Sequence, residues 1–167
     1  MSDVDLREEQ EPLKDEYEAD PESARVTITA SGEERDARSC SVDIGRAVYE
    51  AELHEGAGGS GTAACSGDLL LGALAACSQL TAQAVAEHMG IDADVTVEAS
   101  GDLDLRGTLG VDPDVPVGFE EVRLDVDVHG DLDADARDAL RSATERYCVV
   151  YQTLVNTDEV ATDWSFA

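Results

Sequence analysis

The chain has 167 residues, of which 43% are hydrophobic but only 4% aromatic, so it can fill one globular core built on Ala, Val and Leu. Thirty-eight acidic residues oppose eleven basic ones for a net charge of −27, and Lys14 is the single lysine. That field makes nucleic acid and anionic membrane surfaces poor partners, so none is expected. It also predicts a halophilic protein, adapted to a cytosol whose counterions screen its self-repulsion.

Residues 1–23 are acidic, poor in apolar side chains and carry Pro12 and Pro21, which predicts a flexible arm ahead of one domain over 24–167. Arg25 to Thr29 alternates polar and apolar as a strand does, and Ser31-Gly32-Glu33-Glu34 reads as a turn. A second strand near Ala37 to Ile44 carries Cys40, and a third over Val48 to Leu53 completes an antiparallel meander. Gly56-Ala57-Gly58-Gly59-Ser60-Gly61 lacks the following Lys-Ser/Thr of a phosphate-binding loop and reads as a plain connection. From Asp68 to His88 the chain turns helical, with Ser66 or Asp68 as cap and Gly90 as stop. Its first half leaves almost no polar face, the mark of a buried helix at the centre of a subunit or a dimer. Asp94 to Ser100 and Val122 to Val128 are strands, Asp133 caps a helix from Ala134 to Arg146, and Val160 to Phe166 is expected as an edge strand. Strands, a buried helix, strands and a second helix, in that order, describe an α+β fold.

No basic region followed by an apolar run opens the chain, and Leu69 to Ala86 is interrupted by Gly72, Ser78, Gln79, Thr81 and Gln83. The expected location is therefore the cytoplasm, with no membrane partner. There, cysteines at 40, 65, 77 and 148 point to free or redox-active thiols and not to a disulfide scaffold. Cys77, inside the apolar helix, reads by itself as a small core hydrophobe. Cys148 stands where one helix ends and another can begin, next to Arg146, a setting that suits a reactive thiol. His54, His88 and His129 are isolated, so neither a metal nor another cofactor is expected.

Two blocks change the weight of these thiols. Gly45-Arg46, Gly58-Gly59 and the run Cys65-Ser66-Gly67-Asp68-Leu69-Leu70-Leu71-Gly72-Ala73-Leu74-Ala75-Ala76-Cys77 resemble the core of the OsmC/Ohr family, and Glu145 to Leu154 is similar to its second cysteine motif. The resemblance implies an intertwined homodimer with antiparallel sheets and long central helices. It also implies thiol peroxidase chemistry on organic or hydrogen peroxides, with Cys77 as the attacking thiolate and Cys148 as the resolving thiol. Cys65 is the alternative resolver, and an external dithiol reductant would be the partner that recycles the disulfide. A thiol in apolar surroundings needs a cation to ionise. Arg46 is the first choice, held by Asp68, with Arg38 and Arg35 behind it. The alternatives are a non-enzymatic protein of the same fold, binding a small apolar or thiol-containing ligand at the dimer cleft, and a salt-stress protein acting through assembly.

Overall fold

The computed structural model describes residues 6–156 and 160–165. The chain divides into two compact units, Met1–Gly72 with Ala99–Leu124 and Ala73–Glu98 with Asp125–Ala167.

Within the acidic arm, Leu6–Ala19 forms a helix, α1, that buries none of its residues and contains Pro12. The first unit continues with an antiparallel meander of β1 (Ser31–Asp36), β2 (Ser39–Asp43) and β3 (Val48–Glu52) in sequential order. The first strand is thus not Arg25 to Thr29, and the turn expected at Ser31 is strand. The turn chemistry decides this. The Arg38 N–H donates to Asp36 Oδ1 at 2.8 Å, a side-chain turn that folds Ser31–Asp36 back on Ser39–Asp43. The alternating segment before it stays unpaired by the meander, with Val26 78% and Ile28 90% exposed. Between β2 and β3 the Gly45 N–H donates to Asp43 Oδ1 at 2.7 Å, and Gly45 takes φ 89°, a left-handed conformation that glycine adopts freely.

After β3 the glycine loop folds tightly onto its own approach, because a Cβ at Gly59 would lie 1.6 Å from the Leu53 carbonyl oxygen. Glu52 pins the far end of that loop. Its carboxylate accepts the Ala63 N–H at 2.9 Å, the Ser60 hydroxyl at 2.8 Å and the Thr62 N–H, and these donors hold it down at about 2.

The long helix is present as α2, Ser66–Met89. Ala-rich sequence favours it, and Gly90 ends it with φ 66°. The Ile91 N–H reaches the Ala86 carbonyl at 2.9 Å and the Gly90 N–H that of Glu87 at 3.0 Å, the paired bonds of a Schellman stop. Length and composition alone make this helix long and apolar enough to cross a membrane, a test that core helices also pass. Within the chain its buried residues are Leu74, Ser78, Ala82 and Ala86, one stripe at four-residue spacing. The all-round burial suggested by its composition is not reached in one chain, since Leu80 remains 67% exposed.

Strands β4 (Ala93–Leu103) and β5 (Phe119–Gly130) form a second, two-stranded sheet, and the one-turn helix α3 (Leu105–Thr108) opens the loop between them. In the second unit the core is Ala86, Leu132 and Leu140, covered by Val85, Ile91, Ala93, Val128 and Ala136. Helix α4 (Ala134–Tyr147) starts from Asp133, whose side chain accepts the Ala136 N–H, and α5 (Val149–Asn156) follows after one residue. The edge strand expected over Val160 to Phe166 is not formed: 160–165 is exposed and carries no strand, and Phe166 lies outside the described residues. Exposure of every side chain there removes the half-buried face that stabilises a strand.

Thr144, on the inner face of α4, is 6% exposed, and its hydroxyl has no hydrogen-bond partner among the described residues. A buried unsatisfied hydroxyl costs about 1–3 kcal/mol. Thr144→Val, similar in shape, is therefore expected to raise stability by about 1 kcal/mol in urea unfolding; a loss of stability would reveal that the hydroxyl is satisfied.

Candidate functional site

The second unit brings Cys77 and Cys148 together. Cys77 precedes Ser78 on α2, at the edge of the buried stripe. Cys148 is the lone non-helical residue between α4 and α5, 1% exposed and with extended backbone at φ −72°, ψ 107°. Its N–H still closes the last turn of α4 on the Thr144 carbonyl at 3.0 Å, while its own carbonyl accepts the Gln152 N–H at 2.9 Å. It therefore ends one helix and caps the next. Its sulfur accepts the Tyr151 N–H at 3.5 Å, a thiol doing what a serine or aspartate commonly does at a helix start. The Ser78 hydroxyl lies 3.3 Å from the same sulfur.

Burial pushes the Cys77 thiol up, but several donors outweigh it. The Val150 N–H, the Cys148 thiol, the Val149 N–H and the Thr81 hydroxyl together bring it below the usual thiol value. The first two N–H groups of α5 are among those a helix leaves unpaired, and they favour an anion at that end. Stabilisation of the Cys77 thiolate within this unit thus comes from backbone N–H groups and neighbouring side chains. Arg146 instead stacks over the Tyr147 ring, 5.3 Å from its centre.

The remaining candidates lie in the first unit. Arg46 is exposed in the turn between β2 and β3. Arg35 pairs with Glu50, and Arg35 and Arg38 line a cavity of about 300 Å³ with Glu50, Glu52, Ser60 and Thr62. Asp68 accepts the Cys65 N–H at 2.8 Å, and the N–H and thiol of Cys65 hold its carboxyl below the usual range. It thereby supplies half of a capping box at the start of α2. Among the described residues, no ion pair links Asp68 to Arg46, Arg38 or Arg35, and no group of three His, Cys, Asp or Glu side chains converges as metal ligands do. Sequence reading missed Ser78, Thr81 and the N–H groups of Val149 and Val150. The signal for the last two was present in Cys148 standing at a helix junction, but it was read as acting on Cys148.

Several solved structures share the fold. An OsmC-like protein from Mycoplasma pneumoniae superimposes with a TM-score of 0.65 at 16% identity, covering 79% of this chain and 89% of that one. An organic hydroperoxide resistance protein from Elizabethkingia anophelis does so with a TM-score of 0.57 at 21% identity, covering 80% and 91%. One from Legionella pneumophila gives 0.54 at 19%, covering 77% and 89%. No curated protein matches the chain in sequence. The sequence profile of the OsmC-like proteins matches residues 59–163, a span that takes in both cysteines and most of the chain, and the chain belongs to the OsmC-like protein family.

Proposed function

We propose that this chain is a cytoplasmic thiol peroxidase in which Cys77 attacks a hydroperoxide and Cys148 resolves the product. The observation that carries this reading is the contact of two thiols at a helix junction, with the N–H groups of Val149 and Val150 and the Cys148 thiol lowering Cys77. In the first step the Cys77 thiolate takes the distal oxygen of ROOH, the O–O bond breaks and, with one proton, ROH leaves; the sulfur becomes a sulfenic acid. In the second step the Cys148 sulfur displaces that hydroxyl, which departs as water with the Cys148 proton, and the disulfide forms. An external dithiol then reduces the disulfide by exchange. Organic or hydrogen peroxides are the proposed substrates, and proteins with this fold from two organisms bear organic hydroperoxide resistance in their names.

The working form in this proposal is a homodimer. In the second unit Leu80 on α2 and Val149 beside the site are both more than half exposed, and a partner subunit would cover such apolar side chains. Arg46, with Arg38 and Arg35 behind it, is proposed as the cation that supports the Cys77 thiolate, and Asp68 as an organiser of the segment that leads into α2.

The test is peroxide consumption with cumene hydroperoxide and hydrogen peroxide, measured across pH with a dithiol reductant. Since the folded thiol is lowered, the thiolate is present above its midpoint and lost as pH falls through it. The rate is expected to hold at high pH and to fall with a midpoint below that of a free cysteine measured in the same buffer. No peroxide consumption at any pH would overturn the reading.

A further inference from the structure

The structure assigns Ser78 as the positioning residue for the resolving thiol, an inference that rests on the peroxidase reading of Cys77 and Cys148. Ser78 is completely buried in a stripe otherwise made of Leu74, Ala82 and Ala86. A hydroxyl among such neighbours is retained at a cost unless it has a partner. Its partner is the Cys148 sulfur, 3.3 Å away.

The geometry explains what the bond does. Cys148 lies outside regular helix, where the backbone alone fixes its side chain less than helical packing would. Two groups reach its sulfur: the Tyr151 N–H at 3.5 Å from the start of α5, and the Ser78 hydroxyl from α2, a group able to donate to it. The first belongs to the segment that carries Cys148 and moves with it. Ser78 belongs instead to the helix that carries Cys77, one residue further on. Its hydroxyl therefore ties the resolving sulfur to the element bearing the sulfur it must attack.

When Cys148 displaces the leaving group on Cys77, negative charge grows on the Cys148 sulfur as its proton departs. A hydroxyl already aimed at that sulfur stabilises the charge without reorganising. Ser78 touches neither peroxide nor Cys77 in this scheme and reaches Cys77 only through the Cys148 thiol, so its loss falls chiefly on the second chemical step.

Ser78→Ala removes the hydroxyl with no loss of helix propensity, and Ser78→Thr keeps it. The full-length protein is mixed with one equivalent of cumene hydroperoxide, quenched with N-ethylmaleimide at intervals and digested for mass spectrometry. The sulfenic acid on Cys77 is expected to form in both variants, at a rate changed less than that of disulfide closure. The Cys77–Cys148 disulfide is expected to close about tenfold more slowly in Ser78→Ala, the scale of one hydrogen bond, and to recover in Ser78→Thr. A parallel arm starts from Cys77 carrying a glutathione mixed disulfide, which Cys148 closes with release of glutathione. That closure reads the same geometry without peroxide, so it still tests Ser78 if the wild type consumes none. Closure in Ser78→Ala within twofold of wild type, in the glutathione arm, would overturn the inference. Failure of wild type to consume peroxide, with the closure difference intact, would overturn only the peroxidase reading.

Discussion

Cys77→Ser is expected to lower peroxide consumption by at least about 10³-fold, the scale of removing a nucleophile from a site built around it. Cys148→Ser is expected to behave differently. The donors on Cys77 include the Val150 and Val149 N–H groups and the Thr81 hydroxyl as well as the Cys148 thiol. Loss of Cys148 removes one of them and keeps the rest, so one equivalent of peroxide still reacts. Turnover then stops, and the sulfenic acid persists until it is trapped by dimedone or oxidised onward by excess peroxide. The two variants thus separate the steps: the first gives no burst, the second a burst without turnover. Peroxide consumption surviving in Cys77→Ser would move the nucleophile to Cys40 or Cys65. Full turnover surviving in Cys148→Ser would make Cys65 or the external thiol the resolver.

The fold and the site were legible in the sequence to different depths. Helix α2 was readable because alanine propensity, an acidic first turn and a glycine stop all agree over Ser66–Met89. Strands β4 and β5 were readable from alternation. The first strand was misread because Arg25 to Thr29 alternates as well as any paired segment. Pairing depends on the turn, and Asp36 closes it through the Arg38 N–H, a contact that alternation does not encode. The family likeness brought Cys77 and Cys148 together, and the structure supports their neighbourhood through Ser78. What lowers the Cys77 thiol was harder to see. Sequence logic looked for a cation, because charged side chains are visible as letters. Within the second unit the donors are backbone N–H groups of Val149 and Val150, whose identity as residues says nothing of the role. The contribution belongs to the helix start that Cys148 creates.

The largest solvent effect expected is on folding itself. Melting followed by circular dichroism at pH 7 should rise by about 10 °C between about 0.05 M and 1 M KCl, corresponding to about 3 kcal/mol for a chain of this length. The driving force is the charge of −27. Arg25, Arg35, Arg106, Arg123 and Arg141 pair with carboxylates, but their side chains are 40% exposed or more, and such pairs contribute about 0–1 kcal/mol each. They cannot offset thirty-eight acidic groups. Screening can: the Debye length falls from about 10 Å at 0.1 M to about 3 Å at 1 M, which removes repulsion between all but adjacent carboxylates. Two features distinguish this from a general salting effect on apolar burial. The gain should be steepest at low salt and flatten toward 1 M, whereas preferential exclusion keeps growing with concentration. It should also fade near pH 4.1, the isoelectric point, where net charge vanishes. Equal salt dependence at pH 7 and pH 4.1 would show that charge repulsion is not what limits this fold.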